Sequence, residues 1–374
     1  MKMIVCLMIS IVFLGIVFAA PTVSDLKVTP ISPWGLAIDY IISGATDDDV
    51  DAPLVVQATG GDRLYTAKTL AGDTKWMNGA HRVYWNLATD GITANIQNGQ
   101  VAVCYRLTYC VIDLTSRVNS ANYPIAYLDS EPEGGFNATD YKTTKLVLKR
   151  VDAGSFIMGG DQSVESHRVT LTKPFYMGLF EVTQKQWELV MGSNPSGFRG
   201  DVRPVERVSY NRIRGSSQGA KWPASNAVDA DSFLGKLRAR TGIDFDLPTE
   251  AQWEYVCRAG TTTKFSYGNS ADGHYMFYSS NTNNRTYDVG KKQSNPWGFY
   301  DLHGNVAEWC LDWYGNLNYG VNPQGGSSGF GRVLRGGSYF EHEYDCTSSS
   351  RRGQSPTSDG NDWIGFRLVW SLSE

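Results

Sequence analysis

The fold of this 374-residue chain is decided by a stretch in its C-terminal half, which reads Gly298-Phe299-Tyr300-Asp301-Leu302-His303-Gly304-Asn305-Val306-Ala307-Glu308-Trp309. Its glycines, aromatics, acids and amides follow neither a helical nor a strand period. Hydrophobic periodicity does not account for a string this specific. Six further strings of the same kind occur in a fixed order, at 154–160, 181–183, 203–206, 247–255, 334–339 and 365–367.

In this order the strings resemble the motifs of the formylglycine-generating enzyme family, also called sulfatase-modifying factor domains. The resemblance covers residues 145–374, nearly two-thirds of the chain. It implies an irregular α+β domain, a variant of the C-type lectin fold with little regular structure. Membership alone does not settle activity, because one fold often carries unrelated functions.

Two helices of this region carry complete start signals. Thr183–Gln186 and Thr249–Gln252 are capping boxes, in which the threonine hydroxyl accepts a backbone N–H and the glutamine reaches back to the cap. Gly192 and Gly260 follow where a helix ends in the left-handed conformation. The sequence therefore predicts two short amphipathic helices.

Residues 20–129 follow a different pattern, with short β-branched and aromatic runs separated by Asn-Gly and Asp-Gly turns. This spacing predicts an all-β sandwich of immunoglobulin or fibronectin type III character. Residues 130–144, polar and turn-forming at their start, are predicted to be the linker. The acids within 47–51 either hold calcium or form a solvated loop tip.

The N-terminal residues predict export. Residues 4–20 are almost wholly apolar, and Val17 and Ala19 fit a signal-peptidase site, so residues 1–19 are predicted to be a signal peptide. The alternative is a retained membrane anchor, for which the run is at the short limit. No second apolar run of spanning length follows. We expect a mature protein without a membrane span that is secreted, periplasmic or at the cell surface.

The net charge and the cysteine content indicate which ligands and which disulfides are to be expected. The net charge of −4 argues against nucleic-acid binding, which usually needs a basic surface. An odd number of cysteines remains after the signal peptide, so at least one thiol stays unpaired; the five are Cys104, Cys110, Cys257, Cys310 and Cys346. Cys104 and Cys110 lie in one strand-like run, too extended for a bridge between them unless it folds back.

The copper site that the resemblance implies is incomplete. Active family members oxidise a sulfatase cysteine to formylglycine with Cu(I), held by two cysteines five residues apart, and thiolates are ligands that Cu(I) prefers. Here Cys346 stands at the second cysteine position and Glu341 at the first. A carboxylate is a poor replacement for a thiolate, so copper is not expected. Ser338 and Cys346 are catalytic candidates only if an oxidase activity remains.

Iron is the alternative metal, since related family members use iron with a histidine triad. Glu341 and His342 would be the candidate ligands. None of the five histidines forms the His-x-x-x-His pair of such enzymes. An iron oxidase is therefore not expected.

The calcium motif of the family is better preserved. Asp301, Gly304, Val306 and Glu308 match its calcium positions, with carboxylates at the ends and backbone carbonyls between them, and Ca²⁺ prefers such oxygen ligands. The alternative is that the two acids cap turns. A second calcium site is implied by the pair Asn281-Thr282, in a loop shorter than that of the enzymes.

The segment from Tyr339 to Trp363 is predicted to be a recognition surface. Its tyrosines, tryptophan, serines, asparagine and aspartates give rigid contact area and adaptable hydrogen bonds. The layout resembles target proteins of diversity-generating retroelements, which display variable residues on this fold; the alternative is an ordinary set of polar loops. We expect an extracellular protein or glycan ligand, bound by Tyr339, Phe340, Glu341, His342, Tyr344, Asp345, Ser348, Arg351, Asn361 and Trp363.

Exposure is the structural test of that surface. Tyr339, His342, Tyr344 and Trp363 are expected to be accessible and clustered. The framework residues Trp309, Leu334 and Phe366 are expected to be buried beneath them.

The sequence therefore predicts an exported two-domain protein that binds a ligand without catalysis. The opposed hypothesis is a metal-dependent oxidase acting on a protein cysteine or a related carbon. Metal content discriminates between them, because calcium alone supports binding whereas stoichiometric copper or iron supports the enzyme.

Overall fold

The structure is a computed structural model, which describes residues 22–32, 35–43, 45, 55–60, 63–67, 70–72, 74–75, 77–87, 101–104, 108–115, 123–128, 130–160, 165–317 and 319–371. The chain divides into two compact units, residues 1–58 with 69–105 and residues 59–68 with 106–374. In this described part, every helix falls short of what crossing a bilayer requires. The predicted signal peptide and the acids at 47–51 lie outside the described residues.

The first unit is built from β-strands, as the turn-rich sequence predicts. Its larger sheet is antiparallel and contains β1 (Thr22–Ser32), β2 (Gly35–Ser43), β5 (Leu70–Gly72) and β6 (Gly79–Asn86), in the order β1-β2-β6-β5. β3 (Val55–Gly60) and β7 (Val101–Cys104) also pair antiparallel. β4 (Arg63–Thr66) follows β3 in the chain and belongs to the second unit. Along β6 every second side chain is buried, which gives the sheet one core face.

Among the residues that the structure describes, the second unit contains three sheets. The largest is antiparallel, of order β19-β13-β10-β8-β9, from β8 (Tyr109–Asp113), β9 (Ile125–Leu128), β10 (Lys145–Val151), β13 (Phe175–Gly178) and β19 (Val369–Ser371). The next has β12 (His167–Leu171) between β11 (Gly154–Met158) and β15 (Gly320–Val321). The third has order β17-β16-β14-β18, from β14 (Ala307–Trp313), β16 (Arg332–Arg335), β17 (Arg351–Gln354) and β18 (Ile364–Gly365).

In the described part of this unit, the sheets are joined by four short α-helices and several single turns. The helices are α1 (Gln184–Met191), α2 (Tyr210–Arg214), α3 (Phe233–Thr241) and α4 (Glu250–Arg258). Short 3-10 turns lie at Gly135–Asn137, Thr139–Lys142, Gly219–Lys221 and Glu343–Cys346.

Both predicted capping boxes are confirmed. Thr183 and Thr249 each accept the N–H of the third helical residue, whose glutamine side chain reaches back to the cap. Gly192 ends α1 in the left-handed conformation, as predicted. α4 ends one residue earlier than predicted, at Ala259, whose φ is 47°.

The chain divides at a different place from the predicted boundary at 129. β8 and β9 pair with the second unit: Val111 lies opposite Val147 of β10 and Ala126 of β9. The predicted linker 130–144 carries two 3-10 turns and buries Phe136 against Tyr109, with ring centroids 4.7 Å apart. The division therefore falls near residue 105, because apolar runs such as β8 look alike in either domain.

The predicted framework is buried. Trp309, Leu334 and Phe366 are 0%, 2% and 0% exposed. Phe366 packs edge-on against Trp187 of α1, at 6.0 Å, and against Phe233 of α3, at 5.3 Å. The third sheet thus carries the C-terminal segment on a close-packed core.

Substituting the cap of α4 tests how much this helix depends on its first turn. Thr249→Ala removes the acceptor for the Gln252 N–H, so we expect the free energy of unfolding in urea to fall by about 1 kcal/mol. Thr262→Ala, at an exposed position after α4, is the matched control. Equal unfolding free energies for the two variants would contradict a stabilising cap.

Candidate functional site

The predicted recognition segment begins at a sharp turn after β16. Gly336 and Gly337 have φ values of 91° and 67°, in the left-handed region that favours glycine. A Cβ atom at Gly337 would lie 2.6 Å from Sγ of Cys346. Glycine is therefore required both by the backbone and by the close approach of this thiol.

Arg335 anchors the segment to α4. Its Nε donates to Oε1 of Glu250 at 2.8 Å, and its Nη2 donates to Oε2 of Glu254 at 2.6 Å. Its Nη1 donates to the carbonyls of Ser348 and Ser350 at 3.0 and 3.2 Å. One buried guanidinium thus holds β16, α4 and the backbone of the segment together.

Arg351 reinforces this anchor. Its Nε and Nη2 donate to the two carboxylate oxygens of Glu250, each at 2.7 Å. Burial alone would raise the pKa of Glu250, but the positive charges of Arg335 and Arg351 outweigh burial and lower it. We call Arg335, Arg351, Glu250 and Glu254 the Arg335 clamp.

An ion pair lies where the family resemblance places the first copper cysteine. Oε1 of Glu341 lies 2.7 Å from Nη1 of Arg352, and Oε2 accepts the hydroxyl of Ser338 at 3.0 Å. Cys346 is fully buried, and burial raises the pKa of its thiol well above the usual range. A carboxylate paired with arginine and a protonated thiol do not provide the two thiolates that suit Cu(I).

The predicted ligand-binding residues differ in exposure. Phe340, His342 and Tyr344 are exposed, the first and last at 39% and 64%. The partly exposed members are Asp345, Arg351, Asn361 and Trp363, and the buried ones are Tyr339, Glu341 and Ser348.

The expectation that Tyr339 is accessible is wrong. Its side chain is 3% exposed. The hydroxyl donates to Oδ1 of Asp362 at 3.0 Å, and the ring meets Phe198 edge-on at 5.5 Å. Tyrosine can be buried when its hydroxyl has a hydrogen-bond partner. Tyr339 is therefore a buried residue that stabilises the segment rather than a ligand contact.

The remaining aromatics form two contact pairs. The rings of Phe340 and Trp363 meet edge-on at 5.6 Å, and the guanidinium of Arg352 lies 5.4 Å from the Trp363 ring. His342 and Tyr344 are stacked, with centroids 5.3 Å apart. These contacts hold exposed rings in place before any ligand arrives.

The predicted calcium loop is only partly free to bind a cation. Both carboxylate oxygens of Glu308 accept hydrogen bonds. Oε1 accepts from Nη2 of Arg367 at 2.5 Å, and Oε2 accepts from Nε of Arg367 and from Nε1 of Trp253, each at 2.7 Å. Oδ2 of Asp301 accepts the Gly290 N–H at 2.6 Å, whereas its Oδ1 is buried without a hydrogen-bond partner. Burial raises the pKa of Asp301 to about 6. Asp301 therefore has an oxygen available for a cation, and Glu308 does not.

The second predicted calcium pair stabilises its own loop. Asn281 accepts the Tyr278 N–H at 3.0 Å and donates to the Met276 carbonyl at 2.8 Å. Thr282 donates to the Tyr339 carbonyl at 2.6 Å. Among the described residues, no group of three or more His, Cys, Asp and Glu side chains is placed to hold a metal. Cys110, Cys257, Cys310 and Cys346 are free and buried.

A groove beside the segment involves residues that sequence analysis missed. It has a volume of about 1290 Å³, and it is lined in part by Tyr344, Asp345 and Arg351 of the segment. Further lining residues come from distant parts of the chain, and they include Glu165, His167, Lys264, Tyr314 and Tyr319. The parallel pairing of β12 with β15 brings His167 next to Tyr319, and no local sequence signal reports that pairing.

Comparison with known families decides the classification. The model of the family described as "Sulfatase-modifying factor enzyme 1-like domain" matches residues 137–372, more than half of the chain. The chain belongs to this family. The resemblance deduced from the seven sequence strings is thus confirmed, and the match begins inside the predicted linker.

Similar proteins include both enzymes and other kinds of protein. This sulfatase-modifying factor domain protein is 33% identical to the chaperone protein LppX of Paenibacillus barcinonensis, over 50% of this chain and 78% of that one. It is 37% identical to the formylglycine-generating enzyme of Mus musculus, over 60% of this chain and 75% of the enzyme. The solved structure of Treponema denticola variable protein 1 matches with 29% identity and a TM-score of 0.52, over 61% of this chain and 95% of that one. The predicted likeness to variable proteins on this fold is confirmed.

Asp312 lies next to the clamp of this family domain. Its Oδ2 accepts the Glu250 N–H at 2.7 Å, and the side chain is buried. Burial and the charge of Glu250 raise the pKa of Asp312 to about 7. The carboxyl group is therefore partly protonated near neutral pH.

Asp312→Asn is expected to reduce the pH dependence of stability. The pKa of Asp312 is higher in the folded chain than its unfolded value of about 4. Protonation of Asp312 therefore stabilises the folded state, fully below a pH of about 4, and this stabilisation is lost as the pH rises to about 7. Asparagine keeps an acceptor for the Glu250 N–H but does not titrate. The free energy of unfolding in urea should therefore fall more between about pH 5 and about pH 8 for the unsubstituted protein than for the variant. The same fall in the variant would contradict the assignment, and Asp231→Asn, at an exposed position, is the control.

Proposed function

We propose that this protein binds an extracellular protein or glycan ligand through residues 339–363 and is not an oxidase. The observation that carries the proposal is the Glu341–Arg352 ion pair at the position of the first copper cysteine. Because the carboxylate is neutralised by arginine and the Cys346 thiol is buried, an incoming substrate thiol meets no open metal position. Oxidation of a protein cysteine, the alternative function, has no comparable support from the side chains.

The arrangement of the segment supports binding. Phe340, His342 and Tyr344 are exposed, while Tyr339 before them and Glu341 between the first two are buried. Rings held by neighbouring rings lose little conformational entropy when a ligand binds. The Arg335 clamp fixes the base of the segment, so its contact side chains stand on a rigid support.

The relatives fit a partner-binding role. One of them is named a chaperone and another a variable protein, and neither name describes an oxidase. The same domain in the formylglycine-generating enzymes shows that the fold also supports catalysis. The choice for this chain therefore rests on its own residues at 341 and 346.

Export and an immunoglobulin-like first unit belong to the same proposal. The apolar residues 4–20 are the support for a signal peptide and for a secreted, periplasmic or surface location. The strands of the first unit, with their antiparallel pairing, are the support for a sandwich.

Calcium is the cofactor we propose, with Asp301 as its side-chain ligand and the carbonyls of Gly304 and Val306 as main-chain ligands. A buried carboxylate oxygen without a partner favours a cation. The expected role is structural, since the loop joins the sheet that carries the recognition segment.

Calcium is expected to raise the melting temperature of the protein, because a ligand that binds only the folded state stabilises it by mass action. Asp301→Asn should remove most of this increase, whereas Asp272→Asn, at a partly exposed loop position, should not. Melting curves are recorded with calcium and with chelator. Curves that coincide for the unsubstituted protein would contradict the calcium proposal.

The double variant Tyr344→Ala with Trp363→Ala tests the recognition surface. Ligands are first selected by probing peptide and glycan arrays with the labelled, unsubstituted protein. Because aromatic anchors commonly carry about 2 kcal/mol or more of an interface, the double variant should bind them at least tenfold more weakly. Its urea unfolding midpoint should stay unchanged, and Tyr84→Ala in the first unit is the matched control for an exposed tyrosine.

Two results would contradict this function. One is unchanged affinity of the double variant for the selected ligands. The other is conversion of a cysteine to formylglycine in a sulfatase-type peptide, observed by mass spectrometry with stoichiometric copper or iron in the protein. That result would establish the oxidase instead.

A further inference from the structure

The groove beside the recognition segment is larger than a small-molecule site. It lies within the second unit, between the start of β12, the loop after β14 and residues 343–351. Its volume of about 1290 Å³ exceeds the roughly 300–1,000 Å³ of typical small-ligand pockets. The space therefore fits a segment of a macromolecule.

Three tyrosines line this groove with exposed rings. Tyr319 is 67% exposed and stacks on His167, with ring centroids 4.6 Å apart. Tyr344 is 64% exposed and stacks on His342. Tyr314 is 43% exposed and faces the guanidinium of Arg351, 4.7 Å from its ring centroid. Each ring is held by a neighbour and still offers surface to a ligand.

The charges of the groove select the ligand class. Glu165, Glu343 and Asp345 contribute three carboxylates, and none has an ion pair with a described residue. Lys264 contributes one ammonium group. The second cation, Arg351, is already neutralised by Glu250 of the clamp. An excess of carboxylates remains, so the electrostatic complement is a positively charged ligand.

We propose that this groove binds an arginine-rich peptide segment of a partner protein. A guanidinium group pairs with carboxylates and stacks on tyrosine rings, and both kinds of group line the groove. This proposal rests on the proposed function, because Tyr344 and Asp345 belong to both surfaces. It adds the lining residues Glu165, His167 and Tyr319, and it names the chemistry of the ligand.

The test uses the full chain and three labelled octapeptides with glycine at alternate positions and arginine, glutamine or glutamate at the others. Fluorescence anisotropy at low salt should show binding of the arginine peptide alone. The variants Tyr319→Ala and Glu165→Gln should each weaken that binding, and together by about tenfold or more. Added salt should weaken it further, because exposed charges are screened.

The control separates a specific site from general attraction to an acidic protein. The triple variant Glu133→Gln, Asp201→Asn and Asp231→Asn removes three exposed carboxylates that do not line the groove. It should bind the arginine peptide like the unsubstituted protein. Equal weakening in this variant, or equal binding of all three peptides, would overturn the proposal.

A different pattern would separate this proposal from the ligand-binding function. If array-selected ligands lose affinity with Tyr344→Ala and Trp363→Ala but not with Tyr319→Ala and Glu165→Gln, the recognition surface stands and the groove proposal fails. The same holds if the selected ligands are neutral glycans and the arginine peptide does not bind. If none of these variants changes binding, both proposals fail.

Discussion

The buried guanidinium of Arg335 is the interaction on which the second unit depends. A buried charge is tolerated only when it is paired and its donors are used, and Arg335 meets this condition with Glu250, Glu254 and two backbone carbonyls. Because both carboxylates belong to α4, the two ion pairs fix β16 on this helix. A second buried pair, Arg367 with Glu308, meets the same helix through Trp253. α4 therefore connects β16, β14 and the end of the chain.

This organisation explains how an irregular domain holds a precise surface. The segment after β16 has little regular structure apart from one 3-10 turn and β17. Its backbone is fixed instead by side chains, above all by Arg335 on the Ser348 and Ser350 carbonyls. Glu341 fits this scheme, since its ion pair with Arg352 adds a further crosslink within the segment.

The sequence predicted local features well and non-local ones poorly. Capping at Thr183 and Thr249 depends on residues three positions apart, so the pattern is visible in the chain itself. Burial of Trp309 and Phe366 followed from the motif strings. Three features depend instead on contacts between residues that are distant in sequence. They are the pairing of β8 with β10, the hydrogen bond from Tyr339 to Asp362, and the stacking of His167 on Tyr319. Composition carries no information about such contacts.

Burial alternates along residues 339–342, with Tyr339 and Glu341 inside and Phe340 and His342 outside. The inner residues bond to Asp362, Ser338 and Arg352, whereas the outer ones contact other rings. Mutational tolerance should follow the same alternation, with positions 340, 342, 343 and 344 free to change residue type while their inner neighbours stay fixed. A lineage, or a laboratory library, can therefore diversify what this surface recognises without re-optimising the core that supports it.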